Sequence, residues 1–314
     1  MAVPVAADSL RERIRLRLRE RRVAPQRTAM ASVVTPSVYV KSHPAENRVR
    51  LGYNTARHAV HSLRTGDYDF AAQGLQTGMR LPALTALDLV GTHRRECNVC
   101  GWRGRSFYPN TGTGYHERDT VCPGCLSLDR HRSLLALLLA RTDVFDGGRR
   151  VVEVAPSPGF EALMRVQPGV DYTSFDLAPF AMEQHDITAM RYASDSVDYF
   201  LCFHVLEHLP QDAPAIAEIH RVLRPGGTAV LQVPLDWDVA QTREYPAPDP
   251  RECGHVRRYG HDFADKIAEP GLSVRHISVS EVFDDDTVSR YGLSREPIFF
   301  ATKAATAHAS SPRG

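Results

Sequence analysis

At 314 residues, with 43% hydrophobic and 24% charged residues and a formal net charge of +1, the chain has the balance of a soluble globular protein with ample length for a buried core. So small a net charge gives no global drive toward nucleic acid or an anionic membrane, and no apolar run reaches the roughly 18 residues that span a bilayer. The opening MAVPVAADSL lacks the apolar stretch of a secretory leader, so a cytoplasmic location is expected.

Residues 1–92 read as an extension of unassigned fold. Its segment SLRERIRLRLRERR is strongly basic. Leu10, Ile14 and Leu18 fall at helical spacing, while RIRLRLR also alternates with period two, so helix and strand both stay open. Glu12 and Glu20 interrupt the charge, which favours a solvated helix with one apolar stripe over an RNA-binding patch. Further on, RHAVHSLRTGDYDFAAQGLQTGM predicts helix broken by a turn near Thr65-Gly66-Asp67.

Residues 93–130 carry CNVCGWRG and then CPGC, with 21 residues between Cys100 and Cys122. Two tight C-x-x-C turns supply the four soft ligands that a tetrahedral zinc ion takes, and a cytosolic setting favours metal over disulfides. Cys97, Cys100, Cys122 and Cys125 are therefore assigned to a structural zinc ribbon, with Gly101 and Gly124 suited to the unusual backbone angles of knuckle turns. Four protein ligands leave no position for substrate, so this site stabilises and does not catalyse. Arg130, His131 and Arg132 follow, and could pair with a cofactor carboxylate or with helix ends.

From residue 131 the pattern is regular. LLALLLAR predicts an apolar helix, followed by strands near 149–155, 171–176, 198–203, 228–233, 272–282 and 296–302, with a short one near 183–187. Helices fall near 159–165, 213–223 and 261–268. The alternation predicts an α/β fold with a mostly parallel sheet covered on both faces, its last two strands forming an antiparallel edge hairpin with no helix between them. The expected sheet domain covers 131–303, and 304–314 reads as a disordered tail. Of the remaining cysteines, Cys202 falls in an apolar strand as a buried filler and Cys253 in a polar loop.

VVEVAPSPGF is a strand, a tight turn and a helix start, the arrangement that holds nucleotide-type cofactors, with the usual glycines reduced to Ala155, Ser157 and Gly159. Glu153 supplies an early acid. Asp176 lies 23 residues further on, at the interval where an acid ending the second strand meets a ribose diol, and Asp186 follows where a third acid could reach an adenine amino group. Ser157 can cap the helix, Pro158 suits its first position, and Gly159 permits close approach to a cofactor.

An apolar strand ending at His204, an amphipathic helix with Ile216, Ile219 and Leu223 on one stripe, the stop RPGG and the strand TAVLQVP complete the pattern. Together with EVAPSPG, SFDL and HDIT, the segments FHVLEHL and RVLRPGG resemble the class I S-adenosylmethionine-dependent methyltransferases over about residues 149–303. CNVCG, CPGCLSLDRHR, the glycine-poor VAPSPG turn, LQVPLD and GHVRRYGHDF are similar to a bacterial subgroup with a zinc ribbon before the methyltransferase domain. That resemblance implies a Rossmann-like sheet and S-adenosylmethionine as cofactor. The expected cofactor set is Glu153, Ala155, Pro156, Ser157, Gly159, Asp176, Leu177, Asp186, Ile187, Phe203 and His204.

The sulfonium activates its own methyl group, so the protein chiefly aligns an acceptor and, where needed, takes its proton. His204 is the first candidate base, with Glu207 bracing the same turn and His208 read as structural. The loop REYPAPDPRECGHVRRYG offers His255, Arg257, Arg258 and Tyr259 as a polar set for an anionic acceptor, with His255 or Tyr259 as a second catalytic group. No acidic cluster for a divalent ion is evident beyond DDD at 284–286, read as a solvated turn, so metal-dependent transfer is not expected. The leading function is methyl transfer to oxygen or nitrogen of a small metabolite or modified peptide, with the N-terminal region shaping the acceptor entrance or a homodimer contact. An RNA methyltransferase gripping its substrate through the ribbon and basic segment is the first alternative, and a non-enzymatic zinc-ribbon interaction protein the second.

Overall fold

The computed structural model describes residues 44–65, 68–90, 93–112, 115–249 and 252–305. The basic segment at 9–22, the centre of the turn at Thr65-Gly66-Asp67 and nearly all of the expected tail lie outside the described residues. Helices α1 (Pro44–Thr65) and α2 (Tyr68–Val90) pack along each other and against the cysteine ribbon. The ribbon comprises β1 (Arg95–Glu96), β2 (Arg103–Gly104), β3 (Tyr108–Gly112) and β4 (Tyr115–Val121), paired antiparallel as β1–β2 and β3–β4. Leu81 of α2 joins Tyr108 and Val121 of the ribbon in a small apolar cluster, and Asn47 Nδ2 donates to the carbonyl of Pro123 at 3.1 Å.

After helix α3 (Asp129–Arg141) come β5 (Arg149–Val154), α4 (Pro158–Arg165), β6 (Val170–Asp176), β7 (Glu183–Gln184) and β8 (Val197–Phe203). Then follow α5 (Ala213–Val222), β9 (Leu223–Gln232), a hairpin of β10 (Arg243–Asp249) and β11 (His255–Arg258), α6 (Phe263–Ala268), β12 (Leu272–Ile277), α7 (Asp285–Tyr291) and β13 (Ile298–Lys303). Seven of these strands form one sheet in the order β12-β13-β9-β8-β5-β6-β7. The pairs from β9 to β7 are parallel, and β13 runs antiparallel to both its neighbours.

Side chains alternate cleanly between the two faces, as a period-two strand requires. On one face Val152, Val154, Phe200, Cys202 and Phe299 pack with Ile216 and Ile219 of α5 and Phe263 of α6. On the other, Val151, Leu201, Phe203 and Phe300 share a core with α3 and with Cys97, Cys122 and Cys125. Helix α3 is buried on every side from His131 to Leu139, which explains its unbroken apolar run: it has no solvent face.

Two expectations need correction. The last two sheet strands do pair antiparallel, but α7 stands between them. The acids at 284–286 are its N-terminal signal, Asp284 accepting from the Thr287 amide at 2.7 Å and Asp285 and Asp286 filling the first turn. The stretch 243–258, read as a loop, is the β10–β11 hairpin, whose Pro246 and Pro248 obscure it because a proline cannot donate to a ladder.

Arg132 ties the layers together. It is 0% exposed. Nη1 donates to the carbonyls of Thr120 (2.9 Å) and Ser127 (3.0 Å), Nε to Tyr291 (2.7 Å) and Nη2 to Gly292 (2.8 Å), with the guanidinium 3.7 Å over the Phe107 ring. The helix-end reading of this residue is therefore the one realised, and a cofactor role is excluded by its burial. His131 is equally enclosed: Nδ1 accepts from the Leu128 amide at 3.1 Å, and burial holds its pKa well below the usual value. Replacing Arg132 with the apolar Met strands four buried carbonyls, so urea unfolding of Arg132→Met should show a loss of at least about 3 kcal/mol.

Candidate functional site

The sheet order reverses between β5 and β8, the place where open α/β sheets leave a crevice outside the carboxyl ends of their strands. Both strands end there in a strained residue. Ala155 after β5 has φ +50° and His204 after β8 has φ +55°, each left-handed without being glycine. Their amides are fixed by neighbouring strands, Ala155 N donating to Phe175 O and His204 N to Gln232 O, both at 2.9 Å. Such strain persists only where surrounding bonds enforce it, and it concentrates at functional sites.

The turn after Ala155 begins α4 with Ser157 at the N-cap and Pro158 in the first turn. The Ser157 hydroxyl makes no capping bond, and its buried Oγ has no hydrogen-bond partner. Gly159 serves a purpose the sequence does not reveal. A Cβ there would lie 2.4 Å from the carbonyl oxygen of Cys125, so the ribbon pressing on α4 by itself requires glycine.

Glu153 is 3% exposed and points into the core between β5, β6 and α4, where its carboxylate accepts from the Tyr172 hydroxyl. Burial pushes its pKa up from an ordinary 4.5 to about 8, the Tyr172 bond opposing the rise and the nearby Glu161 adding to it. Glu153, expected in the cofactor set, is here a buried acid bonded to Tyr172. Asp176 ends β6, with Oδ1 accepting from Ala178 N at 2.9 Å, and Leu177 beside it is 63% exposed. Asp186 is exposed and caps a short turn, accepting from Thr188 N at 2.8 Å, which lowers its pKa. Ile187 and Phe203 are buried, and Pro156 is half-buried.

On the acceptor side, the 3-10 turn Leu206–His208 follows His204 directly. Along β11 and just beyond it, alternate residues face this turn. His255 brings Nε2 to 3.9 Å from Glu207 Oε1 and packs edge-on against His208 at 4.7 Å. Arg257 is 3% exposed and donates to the carbonyls of Leu206 (3.1 Å), Leu209 (2.6 Å) and Pro210 (3.1 Å), while Nε meets Glu244 on the opposite strand at 2.9 Å. Tyr259 is 0% exposed and donates to Asp212 at 2.8 Å. Burial pushes its phenol well up, with the Asp212 charge adding to the rise.

These placements change how two residues read. Arg257 closes the carboxyl end of the 3-10 turn, with most of its donors taken by backbone carbonyls and Glu244. Tyr259 is buried with its hydroxyl committed to Asp212. Arg258 ion-pairs with Glu252 at 2.9 Å and is partly exposed. His204 and His255, named from sequence, converge on Glu207, which sequence reasoning had treated only as a brace. The adjacency of an acid and a histidine in VLEHL was the available signal.

The cysteine ribbon has the geometry of a metal site. A tetrahedral ion with Zn–S bonds of about 2.3 Å sets its sulfurs about 3.8 Å apart; Cys97 and Cys125 Sγ lie at 3.8 Å, Cys100 and Cys122 at 3.7 Å. The two knuckles repeat one form, the residue after each second cysteine being left-handed: Gly101 at φ +77° and Leu126 at φ +61°. Gly124 answers a different need, since a Cβ there would sit 2.8 Å from that of Trp102.

Comparison with known proteins agrees with this topology. The family described as methyltransferase domain matches residues 135–231. An uncharacterized methyltransferase of Mycobacterium sp. (strain KMS) is 32% identical over 120 residues, 34% of this chain and 48% of that protein. One from Mycobacterium marinum is 29% identical over 177 residues, 50% of this chain and 68% of that protein. The matched region runs from within α3 into β9, the part of the chain that supplies the parallel strands of the sheet. A 37.1 kDa protein of transposon TN4556 from Streptomyces fradiae is also similar, at 34% identity over 103 residues, 33% of this chain and 28% of that one. The chain spans about half the length of the first of these relatives. Among the described residues no helix is long and apolar enough to cross a membrane.

Two outcomes test this geometry. Because the folded state raises the Glu153 pKa, it binds a proton that the unfolded chain releases, so stability should fall as pH rises from about 4.5 to about 8, by up to about 1.4 kcal/mol per pH unit. Urea melts across that window should show the slope in wild type and lose it in Glu153→Gln. Gly159→Ala should overpack the contact with Cys125 and cost about 1–3 kcal/mol, read as a lower melting temperature with earlier release of ribbon-bound metal.

Proposed function

We propose that the protein moves a methyl group from S-adenosylmethionine to an oxygen or nitrogen of a small-molecule or peptide acceptor, in the cytoplasm, with a structural zinc ion in the ribbon. The observation that carries this is the meeting of two strained strand ends, Ala155 and His204, at the reversal of a methyltransferase sheet. The residues present suit the cofactor. The unpartnered Ser157 Oγ stands at the start of α4, the exposed Leu177 offers an apolar surface beside Asp176, and Asp186 lies beyond it on the same edge. Asp176 would take the ribose hydroxyls, Asp186 the adenine amino group, and Leu177 and Ile187 would flank the base.

When bound, the cofactor supplies an electrophilic methyl group that needs no further activation. The chain's own task is alignment and proton removal. His204 Nε2 is buried without a hydrogen-bond partner, while Nδ1 lies 3.3 Å from Glu207 Oε1. In this reading the carboxylate stands beside the Nδ1 edge of the ring, leaving Nε2 to take the acceptor proton. Glu296 lies within electrostatic range of His204, of Asp129 and Arg130 at the start of α3 and of Glu117 in the ribbon. This supports the N-terminal module as a wall of the acceptor site.

Calorimetric titration with S-adenosylhomocysteine tests the proposal. Wild type should bind at micromolar concentration, and Asp176→Ala should weaken binding by at least about tenfold, roughly 1.4 kcal/mol. Absence of heat with folded, zinc-loaded wild type would sink it.

A further inference from the structure

Glu207 poses a problem that the methyl-transfer chemistry does not resolve. It is 0% exposed, and neither carboxylate oxygen has a hydrogen-bond partner among the described residues. A lone buried carboxylate is among the costlier things a fold can hold, and it persists when a positive charge or a metal ion faces it. The side chains around it are imidazoles. His204 Nδ1 is 3.3 Å from Oε1 and His255 Nε2 is 3.9 Å from it, close enough for ion pairing with a protonated imidazole, yet neither contact makes a hydrogen bond. His208 completes the ring, and ligand atoms of Glu207, His208 and His255 all lie within 4.8 Å of one another.

We propose that Glu207, His208 and His255 form a second metal site, distinct from the cysteine ribbon, for a divalent ion of borderline softness. Two imidazole nitrogens and one carboxylate oxygen suit zinc, cobalt, nickel, manganese or ferrous iron, whereas magnesium and calcium prefer oxygen alone. The donors come from two elements. The 3-10 turn delivers Glu207 and His208 in succession, and β11 delivers His255, held against that turn by Arg257 two residues later. Three protein ligands leave coordination positions open, unlike the four thiolates of the ribbon. His208 is exposed and His255 half-buried, so the site has an opening to solvent.

The site would run against the expectation of metal-independent transfer, which rested on finding no acidic cluster beyond residues 284–286. That expectation looked for clustered acids; here one acid and paired histidines provide the ligands. Its catalytic consequence rests on the proposed methyl transfer: an acceptor hydroxyl bound in an open position becomes more acidic. The hydroxyl proton passes to His204 Nε2, the oxygen forms its bond to the methyl carbon, and the sulfur–carbon bond breaks to leave a neutral thioether.

Equilibrium dialysis of the full chain against micromolar zinc, with metal counted by mass spectrometry, tests the site without any cofactor. Wild type should hold one zinc more per chain than the ribbon accounts for, and cobalt added to protein carrying zinc in the ribbon alone should give the weak visible bands of nitrogen and oxygen ligation, with no thiolate charge transfer. His208→Ala and His255→Ala should each weaken the second ion at least about tenfold while the ribbon's ion stays. His208 is exposed, so that variant should melt as wild type does. A folded wild type holding the ribbon's ion alone overturns the proposal, as does a second ion indifferent to both substitutions. Binding of S-adenosylhomocysteine on the same preparations separates the two readings, since metal without cofactor affinity would sink methyl transfer and leave this site standing.

Discussion

The first turn of α4 rests on the second cysteine knuckle with no room for a methyl group between them. That contact constrains much of what surrounds it. On one side is a turn that carries two of four clustered sulfurs, Cys97–Cys125 at 3.8 Å and Cys100–Cys122 at 3.7 Å, and on the other the strand–turn–helix that would receive the cofactor. The ribbon is thus no appended bead. Its cysteines belong to the same apolar cluster as α3 and one face of the sheet, and Arg132 bonds its carbonyls to those at the end of α7. Because an interior is packed at close to crystal density, a shift in the knuckle has no slack to absorb it before the turn at 155–159 moves.

The acceptor side obeys a parallel rule. Positions 255, 257 and 259 point the same way because the chain is extended there, so one pleat sends a histidine, an arginine and a tyrosine toward the turn after β8. Two of the three are spent on holding that turn: Arg257 on its exposed carbonyls and Tyr259 on Asp212. The third, His255, is left facing Glu207. Preorganisation of this kind places rigid support behind a small number of reactive groups. The strained φ at His204 belongs to the same design, aiming a side chain out of the strand end toward the crevice.

Much of this was legible in the amino-acid order. Strand alternation, the apolar run of α3, the spacing of CNVCG and CPGC, and the acids after successive strands rest on local periodicity and ligand spacing, which a linear sequence carries without loss. The hairpin at 243–258 was not legible, because its prolines contradict a strand pattern that only an edge ribbon tolerates. Helix α7 was missed because three consecutive acids resemble a solvated turn until the Thr287 amide is seen to be capped.

The sequence by itself determined the layered α/β class, the thiolate ligands and the identity of His204 and His255 as groups worth watching. Tertiary structure decided which polar residues face the crevice and which serve as struts. Arg257 and Tyr259 have the chemistry of substrate ligands, yet burial and neighbouring carbonyls claim them. Glu153 reads as a cofactor acid, yet its strand turns it inward to Tyr172. The reason is physical: residue type states what a side chain can do, but exposure and the direction of its Cβ are properties of the folded sheet. Only there do Glu207, His208 and His255, separated by nearly fifty residues of chain, come within reach of a single ion.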